Sequence, residues 1–68
     1  MNIEILNNRV RRFRGRMEYD ILVDEYNHTI AEDRQIINTL DPNNFGGFVL
    51  VYPNERGKHR LTVIVYID

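Results

Sequence analysis

The densest chemistry in the chain is an arginine run, Arg9-Val10-Arg11-Arg12-Phe13-Arg14-Gly15-Arg16, with one aromatic set among five guanidinium groups. On an extended segment such a run can track a phosphate backbone while Phe13 stacks on a base. Arg56, Lys58, His59 and Arg60 near the C-terminus would lengthen the path. The same residues also describe an exposed edge strand, charged to resist pairing with other strands and bonded to acids elsewhere in the chain. Those acids are close in sequence. Residues 17–33 hold Glu18, Asp20, Asp24, Glu25, Glu32 and Asp33, a charge of −6 beside the +4 of residues 1–16, and the whole chain sums to −1. A near-neutral total disfavours a dedicated nucleic-acid binder. Arginine outnumbers lysine eight to one, and its planar fork grips carboxylate or phosphate with two hydrogen bonds. The candidate binding residues are Arg9, Arg11, Arg12, Phe13, Arg14, Arg16, Arg56, Lys58 and Arg60. Whether the five N-terminal arginines lie free on one face, or are already bonded to acids of neighbouring strands, discriminates the two readings. The acidic stretch has a functional reading of its own, as carboxylates at strand spacing that imitate phosphates, set against the plainer one of a solvated strand face.

Other chemistries fail for want of parts. There is no Ser, Cys or Trp, and Thr occurs only at 29, 39 and 62, so serine and cysteine nucleophiles, thiolate zinc sites and iron–sulfur clusters are excluded. His28 and His59 have nothing to activate and no ligand partners at a recognisable spacing, and the acids match no calcium loop. Gly46-Gly47 precedes a strand pattern rather than a helix, so it is a bulge or loop and not a phosphate cradle. Asn27-His28-Thr29 fits the glycosylation sequon, yet Thr29 already has a part to play as a helix cap. The chain is expected to be no enzyme and to use no cofactor or metal.

The elements that must hold these residues follow from periodicity. Asn2 to Leu6 alternates as a short strand, and Asn7-Asn8 reads as a turn. From Phe13 to Asp24 the alternation is the cleanest in the chain. It predicts either one long strand bent at Gly15 or two strands joined at Arg14-Gly15, with a break between Val10 and Phe13, since Val10 is out of phase. Thr29-Ile30-Ala31-Glu32 is a capping box opening a helix that Asp41-Pro42 stops. Ile30, Ile36, Ile37 and Leu40 share a sector of roughly 120°, and Asp33 falls within it. A carboxylate on that face needs a partner, and an arginine from the Arg-rich strand or Arg34 is the expected one. Phe48 to Tyr52 and Arg60 to Ile67 are strands, joined by a hairpin loop over Pro53–Lys58. The last strand is apolar on both faces and should be central, or else covered by another subunit.

The fold expected is α+β: one helix packed on a four- or five-stranded, mainly antiparallel sheet in the order β-β(-β)-α-β-β, with residues 1–68 as a single small domain. Zero cysteine and the lack of a signal-peptide pattern suggest a cytoplasmic setting, and no apolar stretch approaches the roughly 20 residues of a membrane span. A core this small is marginal alone, so a homodimer is expected, meeting through a strand or sheet face near Ile64 and Tyr66. The function expected is a non-enzymatic interaction domain that binds a macromolecular partner, a protein first of all, and regulates or blocks it through a charged surface. In compactness, Asn and Ile content and segregated charge, though in no motif, the chain resembles small phage or mobile-element inhibitors, anti-CRISPR proteins among them. The alternative is a single-stranded nucleic-acid or RNA-binding module using the Arg-rich strand 9–16.

Overall fold

Alternation, cap and turns produce the expected order. The computed structural model describes residues 1–67, in which β1 (Ile3–Ile5), β2 (Arg11–Phe13), β3 (Arg16–Val23), α1 (Ile30–Leu40), β4 (Gly47–Glu55) and β5 (Lys58–Tyr66) follow one another. All pairings are antiparallel. The sheet runs β1-β3-β5-β4, with β2 also paired to β3, and α1 lies against one face. β5 sits between β3 and β4, as its two apolar faces require: Leu61, Thr62, Val63, Ile64 and Val65 are all buried. Ile64 is therefore enclosed within its own chain, which corrects the expectation that it lies exposed for a second subunit to cover.

Turn chemistry explains the connections. The break near Val10 is a 3-10 turn over Asn7–Arg9, and of the two readings at Gly15 the structure takes the turn, with Gly15 at φ 83. The β4–β5 connection is tighter than the Pro53–Lys58 loop expected. Arg56 and Gly57, at φ 53 and 73, form the two-residue turn whose twist matches paired strands. Pro53 and Asn54 belong to the irregular end of β4, between the Tyr52↔Arg60 and Glu55↔Lys58 pairs.

Thr29 caps α1 with the full capping box: its hydroxyl accepts from the Glu32 N–H and the Glu32 carboxylate accepts from its own N–H. Ile36 and Ile37 anchor the helix on a core of Ile21, Val23, Tyr26, Val49, Leu61, Val63 and Val65, with Leu40 packed at the side. Two expectations about this helix fail. Ile30, its first residue, stays 77% exposed at the rim of a cleft instead of entering the core. Asp33 pairs with no arginine. The Tyr26 hydroxyl donates to its Oδ1 at 2.5 Å, and His28 Nδ1, itself in contact with the Tyr26 hydroxyl, lies 3.3 Å from Oδ2. The β3–α1 loop thus supplies the partner, while Arg11, Arg16 and Arg60 are engaged by acids of β3.

Because Tyr26 is buried and its hydroxyl bonds a half-buried carboxylate, Tyr26→Phe should cost about 1–2 kcal/mol in urea unfolding. Burial first, then the hydrogen bond to Asp33 and its charge, push the phenol's pKa above the ordinary 10.0. The unfolded chain then releases this proton first, so stability declines as pH rises past 10.0 in the wild type, and less steeply in Tyr26→Phe.

Candidate interaction surface on the open sheet face

Alternate residues of β3, β4 and β5 enter the helix-side core, so their neighbours point to the other face, which no helix covers among the described residues. Strand register arranges these side chains in rows across the sheet. One row holds Glu4, Leu22, Arg60 and Tyr52, and the next Asp20, Thr62 and Leu50. A third holds Arg11, Glu18, Ile64 and Phe48, and the last Phe13, Arg16 and Tyr66.

Toward β1 and β2 the charges close on one another around Asp20, which is 3% exposed. Arg11 grips it with two bonds of 3.0 and 3.1 Å, Arg60 donates at 2.9 Å and the Thr62 hydroxyl at 2.9 Å. Arg60, its side chain only 15% exposed, also donates to the Leu61 carbonyl and lies over the Tyr52 ring. Glu18 joins Arg11 to Arg16 at 3.2 and 2.8 Å, and Glu55 accepts from Arg9 at 3.1 Å and lies 3.7 Å from Arg60 Nε. Burial works to raise the Asp20 pKa, but the bonds from Arg11 and Thr62 and the charges of Arg60 and Arg11 outweigh it and hold the carboxyl below its ordinary range. Glu18 is likewise lowered, chiefly by the Arg16 bond.

Toward β4 the face is apolar. Phe48, Leu50, Tyr52 and Tyr66 are 41 to 45% exposed, the Phe48 and Tyr66 rings lie 6.3 Å apart, and Phe13 at the far end carries the Arg16 guanidinium 4.2 Å above its ring. On the other side of β4 a cleft of about 300 Å³ separates it from α1, walled by His28, Asp33 and Arg34, by Ile30 and Ile37, and by Gly47, Phe48 and Val49 of β4.

The nine candidate residues therefore divide. Arg9, Arg11, Arg16 and Arg60 converge on the ion lattice, and Arg56 and Lys58 reach across to Glu4 at 3.3 and 3.8 Å. Phe13 lies beneath Arg16. Arg12, paired with Met17 on the helix-side parity, and Arg14, in the β2–β3 turn, make no ion pair among the described residues. The arginine run is thus no single cationic stripe, because the Val10 break and the Arg14-Gly15 turn interrupt its alternation. Nor do the acids form one phosphate-like strip. Asp24 accepts from the Asn2 N–H, Glu32 caps the helix and Asp33 is bonded to Tyr26.

Sequence reasoning missed the exposed apolar row of β4, reading Phe48 to Tyr52 only as a strand. Pro53 was the available signal, since proline within a strand marks an edge. Among the described residues no group of three or more His, Asp or Glu is placed to hold a metal ion, and no helix is long and apolar enough to cross a membrane. Fold and surface together define a small α+β domain with one uncovered sheet face. Comparison with family models, curated proteins and solved structures finds no match for this chain.

Proposed function

We propose that the chain is a non-enzymatic, cytoplasmic interaction domain that binds a protein partner through its open sheet face and regulates or blocks that partner by covering one of its surfaces. One observation carries this reading: the arginines of the face are already matched by Asp20, Glu18 and Glu55, next to the exposed Phe48, Leu50, Tyr52 and Tyr66. Phosphate binding draws on uncommitted positive charge. Protein interfaces favour aromatic and arginine side chains in a patch depleted of free charge. The chain's lack of cysteine suits the reducing cytoplasm.

Tagged protein recovered from its native host should retain a stoichiometric protein partner identifiable by mass spectrometry. Tyr66→Glu should release that partner, and the double variant Arg12→Glu with Arg14→Glu should keep it. Retention by Tyr66→Glu together with loss in the arginine double variant would overturn the assignment of the surface.

The row Phe13, Arg16 and Tyr66, with Arg12 and Arg14 nearby, favours a second reading, a single-stranded nucleic-acid platform on which bases stack. That reading requires an affinity for single-stranded RNA or DNA tighter than about 1 μM near physiological salt, falling steeply as salt rises. The paired arginines lead us to expect weaker binding.

A further inference from the structure

We infer that β4 pairs with β4 of a second copy of this chain, antiparallel and centred on Leu50, so that two sheets join into one. The inference goes beyond the partner-binding reading and does not depend on it.

The two edges of the sheet are built differently. On one side β1 and β2 are three residues each, separated by the 3-10 turn, and β2 carries Arg11 and Arg12. Short, interrupted and charged strands are the usual guards against pairing. On the other side β4 runs nine residues, pairs only with β5, and exposes Phe48, Leu50, Val51 and Tyr52. No charged residue occurs from Gly47 to Asn54.

An edge so bare invites another strand, and its composition selects a copy of itself. A two-fold axis sets a strand against its own side chains, so a charged strand would repel itself at the axis. The apolar run Phe48-Val49-Leu50-Val51-Tyr52 is symmetric about Leu50. In that register Phe48 meets Tyr52 of the second copy, Val49 meets Val51, and Leu50 meets Leu50. Centring on Leu50 sets Pro53, which has no N–H, against Gly47 at the end of the strand, whereas shifting the centre to Val51 would bring it inward against Val49. Shifting it to Val49 would leave Tyr52 opposite Gly46.

The cleft between α1 and β4 fits the same arrangement. Val49 lines it, and Val51, 52% exposed, shares the helix-side parity of Val49. Pairing about Leu50 brings Val51 of the second copy beside Val49, where it covers the β4 side of the cleft that Ile30 borders. A domain of this size gains its missing apolar burial in this way.

Light scattering on the pure protein tests the inference at a chain concentration of about 100 μM, where a micromolar interface is saturated. The wild type should show the mass of two chains. Leu50→Lys, Leu50→Glu and Val51→Lys should each show half that mass with an unchanged far-ultraviolet spectrum, because both positions are exposed. Mixing Leu50→Lys with Leu50→Glu should restore the two-chain mass, since the opposite charges then face each other at the axis. Tyr66→Glu, on the open face, should leave the mass unaltered, which separates this test from that of partner binding. A monomeric wild type would mean that the edge is free or meant for a foreign strand, and would overturn the inference. Variants that stay dimeric, or a mixture that stays monomeric, would overturn it as well.

Discussion

Asp20→Ala is expected to lower the unfolding free energy by about 3–5 kcal/mol, the usual effect of removing one partner from a buried ion pair. Domains of this size have about 3–10 kcal/mol in total, so the variant should be largely unfolded in modest urea. Removing the carboxylate leaves Nη2 of Arg60, whose side chain is only 15% exposed, without its acceptor in a poorly hydrated place, while Nη1 keeps the Leu61 carbonyl. Arg11, 39% exposed, is rescued in part by water. Asp20→Leu combined with Arg11→Met, Arg60→Met and Thr62→Val should recover most of the loss, since apolar replacement of a whole buried network is often neutral. Urea unfolding followed by circular dichroism measures both. A loss below about 1 kcal/mol for Asp20→Ala would show that the lattice is solvated.

The same lattice sets the acid limit. Free Asp takes up its proton near 3.8 and Glu near 4.5, whereas folded Asp20 and Glu18 resist to lower pH. Between those points the unfolded chain binds more protons, so stability is whole above pH 4.5 and drains as pH falls through the folded values. In Asp20→Ala the acid-side slope should shrink.

Gly47→Ala is expected to cost about 3 kcal/mol, at the upper end of overpacking penalties. Its backbone torsions are ordinary, but a Cβ there would sit 2.1 Å from the Ile64 carbonyl oxygen and 3.1 Å from its carbon. Both obstacles are main chain of the central strand, so no rotamer change relieves them, and the start of β4 must peel from β5. Gly46 differs, because only a Tyr66 ring atom lies near its added Cβ, at 3.9 Å, and its φ of 109 is what disfavours a side chain. Thermal unfolding of the two alanine variants would measure this, and a Gly47→Ala protein as stable as wild type would refute the close approach.

Much of this architecture was legible in the sequence where the signal is local. The Thr29–Glu32 box places the helix start, and the Arg14-Gly15 turn implies the Arg11↔Glu18 pairing that the structure shows. The double apolar face of β5 marks the centre. What was not legible depends on register between distant strands. Asp20 meets Arg60 and Thr62 only because β3 and β5 align over a separation of 40 residues or more, and no local pattern encodes that alignment. Phe48 to Tyr52 looks as buried as β5 by composition. Only the strand order reveals that one run is central and the other an edge. Asp33 lies on the helix face that its spacing predicts, but its partner is a tyrosine of the preceding loop, an uncharged donor to which charge pairing gives no pointer.

The position of β5 also governs how the molecule is made. It is the last of the five strands in sequence, yet it alone joins β3 to β4. Until β5 is in place, Ile21, Leu22 and Val23 have β1 on one side and nothing on the other, and α1 has no completed floor on which to rest. The sheet therefore closes only when β5 inserts between its neighbours, and any state that lacks β5 leaves the apolar edges of β3 and β4 open to foreign strands.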